Sequence, residues 1–113
     1  MRDIWISDPD TGRRDRTVEP VGLSSAVWRE LYPILVGDAQ RPLLHRLWRY
    51  HWGAEGDADL TPAEVRDLAQ EITTFRIGSP SPASAEAEAF LDAFAHQIAR
   101  AAEAGAGLRI LAD

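Results

Sequence analysis

Leu60-Thr-Pro-Ala-Glu-Val-Arg-Asp-Leu-Ala-Gln-Glu-Ile72 sets the start and the buried face of a helix within one short stretch. Thr61 can accept a hydrogen bond from an unpaired backbone N–H of the first turn. Pro62 suits the first helical position, where an N–H would have no partner, and Glu64 stands where a reciprocal capping box needs it. Leu60 and Val65 have the spacing of a hydrophobic staple across that start. Val65, Leu68, Ala69 and Ile72 then recur at helical intervals, with Phe75 at the margin of the stripe. Such a one-sided helix needs a second layer to cover its apolar face.

The flanking sequence supplies that layer. Toward the C-terminus, Gly78-Ser-Pro-Ser-Pro-Ala-Ser84 reads as a loop in which Ser81 or Ser84 caps the next helix. That helix is long and alanine-rich, it buries Phe90, Leu91, Phe94 and Ile98, and Gly105 and Gly107 end it. Leu108 to Leu111 is a short apolar run fit for a strand. At the other end, Arg2 to Ser7 alternates as a strand, with Ile4 and Ile6 on one face and Trp5 on the other. Asp8-Pro-Asp-Thr-Gly12 is a turn by composition, and a second strand over Arg14 to Val18, ending near Pro20, would complete a hairpin. Ser24 or Ser25 can cap a helix whose apolar face is Val27, Trp28, Leu31, Tyr32 and Leu35. Pro33 is expected to kink or end it, with Gly37 as the stop. The expected fold is α+β: about four helices packed on a small antiparallel sheet made of the N-terminal hairpin and the C-terminal strand. At 113 residues the chain is one domain, 1–113.

One helix differs from the others in chemistry. Arg41-Pro-Leu-Leu-His-Arg-Leu-Trp-Arg-Tyr-His-Trp52 carries a charge of +3, whereas the remaining 101 residues carry −9. Asp38 or Arg41 precedes the helix and Pro42 fits its first turn. Leu44, Leu47, Trp48 and His51 share one stripe, and Arg46 and Arg49 lie off it. Arg46, Arg49, Tyr50 and Trp52 therefore form the candidate partner-binding edge, since Arg, Tyr and Trp dominate interface hot spots. The competing reading is a core helix with an ordinary solvated flank.

Several chemistries find no footing. Without cysteine there are no disulfides, thiolate zinc sites or cysteine nucleophiles. His45 and His51 are six residues apart, which puts them on different sides of a helix rather than at a ligand pair's spacing, so no metal site is expected. Glu55, Asp57 and Asp59 alternate like calcium ligands, but Leu60 and Arg66 stand where that loop needs glycine and a bidentate Glu. A solvated acidic turn is the better reading. No motif marks a catalytic residue or a cofactor. The net charge of −6 disfavours nucleic acid. No signal peptide or membrane span is visible, so a cytoplasmic domain is expected.

The run from Trp52 to Ala69, with Trp28 and Leu31 before it and Phe90 to Leu111 after it, resembles a pattern in small uncharacterised bacterial single-domain proteins of the immunity-protein kind. In those, a Trp-bearing helix leads through a Gly-containing turn to a capped helix, a final helix and a short apolar strand. Glu55-Gly56 replaces the Asn-x-Gly turn of that pattern, and the N-terminal hairpin has no counterpart in it. The resemblance implies a non-catalytic protein-binding role, immunity-like or as a homodimer. The alternative is a small enzyme or ligand-binding protein using His45, His51 and nearby acids.

Overall fold

The computed structural model describes residues 2–8, 10–11, 13–14, 19–36, 41–50, 58–78 and 84–111; of Arg2, Val36, Arg46, Arg49, Tyr50, 58–59 and 110–111 it describes the backbone alone. The elements run β1 (Arg2–Ser7), β2 (Val21–Leu23), α1 (Ser25–Val36), α2 (Pro42–Tyr50), β3 (Ala58–Leu60), α3 (Pro62–Gly78), α4 (Ala85–Ala104) and β4 (Gly107–Leu111). The strands form one antiparallel sheet in the order β2-β1-β4-β3. This is the α+β architecture expected, with four helices on a small sheet.

The capping box is present as read. Thr61 N–H donates to Glu64 Oε1 at 3.0 Å, and Glu64 N–H donates to Thr61 Oγ1 at 3.2 Å. Val65, Leu68, Ile72 and Phe75 are the buried residues of α3. Ser84, the second of the two expected caps, accepts from Ala87 N–H at 3.0 Å to start α4. The end of α4 is a Schellman turn: Ala106 N–H bonds Ala101 O, Gly105 N–H bonds Ala102 O, and Gly105 takes φ 65°. Only that left-handed residue lets the chain reverse into β4, and glycine adopts it without a Cβ clash.

The sheet differs from the expected hairpin in two places. The Asp8 turn forms as read, with Asp8 Oδ1 accepting from Asp10 and Thr11 N–H groups. Beyond it, however, Arg14 makes a single bridge to Ser7, and residues 15–18 lie outside the described ones. Among the described residues β1 pairs with β4 on one side and on the other with Val21–Leu23, in register Arg2↔Leu23 and Ile4↔Val21. Pro20 does not end the strand region but precedes it. Leu23 is what anchors this strand, because its side chain is buried in the core.

The second correction concerns the acidic turn. Ala58–Leu60 is a strand, β3, paired with β4 in register Asp59↔Arg109 and Leu60↔Leu108. Its ladder comes from a partner about fifty residues away, and Leu60 goes into the core. Glu55 and Asp57 lie outside the described residues.

α1 also runs through Pro33 to Val36. Pro33 is exposed, while Val27, Leu31 and Leu35 on the other side are buried, so packing along that stripe carries the helix past the missing N–H. Trp28 is half-buried and Tyr32 exposed, so the core face of α1 is narrower than the sequence pattern.

α3 and α4 pack on one another and on the sheet. α1 and α2 pair with each other and lean on α4 and α3 respectively. The core lies between, with Ile4, Ile6, Leu60 and Leu108 from the sheet meeting Leu68, Ile72, Phe94 and Ile98 from the helices. On the opposite face of β1, Trp5 is buried, with the Arg14 guanidinium over its ring.

Candidate functional site

Among the described residues α2 starts without a cap of its own. Arg41 O accepts from His45 N–H at 2.9 Å, but an arginine side chain has no acceptor for the remaining N–H groups. α3 supplies it. Glu71 Oε1 accepts from Leu43 N–H at 3.0 Å and from Leu44 N–H at 3.1 Å. A carboxylate at a helix N-terminus also meets the positive end of the helix dipole. Arg41 reinforces the junction through Nε to Thr74 Oγ1 at 3.3 Å, and its guanidinium lies 5.9 Å from the Phe75 ring centre. Burial lifts the Glu71 carboxyl above the usual glutamate range. The Leu44 and Leu43 N–H groups pull it down, nearby Asp67 pushes it up, and Arg41 pulls it down.

The apolar side of α2 is used up inside the protein. Leu44, Leu47 and Trp48 are buried, Trp48 to 1% exposure. The Trp48 ring lies 6.0 Å from Phe90 and 6.3 Å from Phe94, centre to centre. Its Nε1 donates to Trp28 O at 3.2 Å, and Trp28 Nε1 donates to Trp48 O at 3.2 Å. Both indoles thus keep their N–H bonded while α1 and α2 are pinned face to face.

Of the four residues expected to bind a partner, Arg46, Arg49 and Tyr50 belong to α2. Trp52 lies outside the described residues. At about 100° per residue, the positions of Arg46, Arg49 and Tyr50 fall on the arc opposite Leu44, Leu47 and Trp48. His45 is half-buried on α2, His51 lies outside the described residues, and His96 is exposed on α4. Among the described residues no group of three or more His, Asp or Glu is placed to hold a metal ion. Among the described residues no helix is long and apolar enough to cross a membrane.

Two polar residues escaped the sequence reading. Glu71 looks like a solvated acid on α3, and only the fold brings it to α2. Gln97 is 3% exposed on α4 and donates Nε2 to Ile4 O at 2.7 Å, tying the long helix to β1. Its signal in the sequence was a polar residue beside Phe94 and Ile98 on an otherwise apolar stripe. Next to the start of α2, a groove of about 650 Å³ is lined by Pro42, Leu43, Glu64, Asp67, Gln70, Glu71 and Thr74. Glu64 and Glu71 already serve as caps there. No family model, no curated protein and no solved structure matches this chain.

Proposed function

We propose that the chain is a non-catalytic cytoplasmic protein-binding domain, immunity-like or self-associating, and that the outer edge of α2 makes the contact. The observation that carries this reading is the way α2 is seated. Its apolar stripe is consumed by the core and by the Trp28–Trp48 pair, and its N-terminus is held by Glu71. Arg46, Arg49 and Tyr50 are not needed for that seating by their positions on the helix. Arginine and tyrosine on a firmly held helix are efficient contact makers, because little additional ordering is required on binding.

Several polar residues that could do acid/base work support the same reading, since they hold elements together. Thr61 and Glu64 close a capping box, Glu71 caps α2, and Ser24 Oγ donates to Glu86. Arg76 joins Glu88 and Asp92 across the α3–α4 pair. The +3 segment on a chain of net −6 suits an acidic surface, either on a second copy or on a different protein.

The test is the double change Arg49→Glu with Trp52→Ala, beside an Arg66→Glu control on the exposed side of α3. For self-association, sedimentation should show the wild type and the control as dimers and the double variant as a monomer with an unchanged circular dichroism spectrum. For a different partner, the bound protein should be lost with the double variant and kept with the control. A melt that collapses with Trp52→Ala alone, together with binding that ignores Arg49→Glu, would overturn the proposal.

A further inference from the structure

We propose that a second copy of this chain docks on the flank of α4 beside β2, the two α4 helices packing antiparallel about a two-fold axis at Ala93. This surface is separate from α2 and does not rest on the binding role proposed for that helix. Glu86, Ala89, Ala93, His96 and Arg100 are exposed and recur every three or four residues, the interval of a helix–helix seam. They line the groove between α4 and β2, which holds two adjoining cavities of about 310 and 430 Å³. Ala93 borders both cavities. The opposite wall is β2, the end strand of the sheet, with Gly22 exposed on it.

The charges along the seam identify the occupant. Among the described residues the smaller cavity carries one charged side chain, Glu86, while the larger carries His96 and Arg100. Glu86 and Arg100 stand seven residues from Ala93 in opposite directions. A two-fold axis at Ala93 matches each position before it with the equivalent position after it on the other copy. Glu86 of each copy then meets Arg100 of the other, at both ends of the seam. Such self-complementarity is what a two-fold interface requires. Parallel helices in the same register would set like charges together.

Glu19 also lines the Arg100 end, yet no ion pair joins the two. A guanidinium can hold two carboxylates at once, as Arg76 does with Glu88 and Asp92. Exposed ion pairs add little affinity, so these set the register. The affinity comes from apolar surface. Ala89 and Ala93 let two helices approach closely, and that approach covers the half-buried Pro20 and Val21 on each copy.

The test is sedimentation of the full chain from about 10 µM to about 1 mM, a span suited to an interface at the small end of specific ones. The wild type should become a dimer within it. Ala93→Glu, which puts a carboxylate at the centre of the seam, should stay a monomer with an unchanged circular dichroism spectrum. Glu86→Arg and Arg100→Glu should each associate roughly tenfold more weakly, because each opposes like charges. Mixed in equal amounts, those two variants should recover the wild-type affinity, since both ends of the mixed dimer pair opposite charges again. Ala93→Glu and Arg100→Glu carry the test if Glu86→Arg, which loses the Ser24 hydrogen bond, fails to fold. A wild type that stays monomeric would leave the seam to a helix of a different protein and overturn the proposal. A dimer indifferent to Ala93→Glu, or a mixture no tighter than its parts, would overturn it as well. Arg49→Glu with Trp52→Ala should leave this dimer intact; a dimer lost there and not with the α4 variants would overturn the α4 seam while upholding the role of α2.

Discussion

Trp28 and Trp48 each donate an indole N–H to the other's backbone carbonyl, both at 3.2 Å, so two helices exchange one hydrogen bond in each direction. The Trp48 ring is also core material beside Phe90 and Phe94. The two roles can be separated. Trp48→Ala should cost about 3–5 kcal/mol as a core truncation. Trp28→Phe, which keeps most of the half-buried ring but leaves Trp48 O without its donor, should cost about 1–3 kcal/mol. Because the pair shares one junction, the double variant should lose less than the sum of the singles. Urea melts of the three proteins check this, and strict additivity would sink the shared-junction account.

The Thr61–Glu64 box makes a similar forecast for a purely local device. Thr61→Ala should cost about 0.5–2 kcal/mol. Glu64→Ala should add little on top, since each side chain serves the other's backbone within one turn. Denaturant melts of both singles and the double decide the matter.

These devices differ in how far apart their partners lie, which explains what could be read beforehand. Thr61 and Glu64, Ser84 and Ala87, and Ala101 and Ala106 are all within five residues of each other, so the sequence exposed both ends of α4 and the start of α3. β3 was hidden because three residues become a strand only beside β4. β2 was hidden because its anchor, Leu23, lies just beyond Pro20 and Gly22 and has no local ladder to declare it. Pro33 misled because its effect on α1 depends on which side faces the core. For the candidate site, spacing placed Arg46, Arg49 and Tyr50 away from the Leu44–Trp48 stripe. Glu71 and Gln97 were out of reach, since their hydrogen-bond partners lie 28 and 93 residues away in the chain.

Gly107 is a position where an added methyl group has no room. A Cβ there would stand 2.5 Å from Leu60 O, a backbone atom fixed by the β3–β4 pairing. Gly107→Ala should therefore cost about 1–3 kcal/mol through overpacking. Gly78→Ala is the control: its Cβ would lie 3.7 Å from the flexible end of Arg41, an ordinary contact. At the end of α3 that change should be neutral or stabilising by up to about 1 kcal/mol. Thermal melts of the two variants should separate clearly. Equal losses would mean that helix or strand propensity, not the Leu60 contact, sets the cost.

Glu71 sets two effects against each other, and pH separates them. Its carboxylate caps α2 through Leu43 and Leu44, yet burial is the largest influence on it and lifts its pKa above the usual range. A carboxyl raised in the folded state holds its proton longer there than in the unfolded chain. The stability linked to that proton is complete below the unfolded value and is lost as pH rises through the raised folded value. Glu71→Gln keeps an oxygen that can accept from the α2 backbone but removes the charge. Relative to wild type, it should therefore gain stability between about pH 4 and pH 7, by a modest amount because the side chain is only partly shielded from water. Asp67→Asn should flatten the same trend, since Asp67 is the neighbour that repels the Glu71 charge. Glu71→Ala should behave differently and lose about 0.5–2 kcal/mol across the whole range, because it leaves the start of α2 uncapped. Urea melts of the four proteins at three pH values read all of these outcomes. A gap between wild type and Glu71→Gln that stays flat, or closes in favour of wild type as pH rises, would show that the carboxylate's bonds to α2 outweigh its burial.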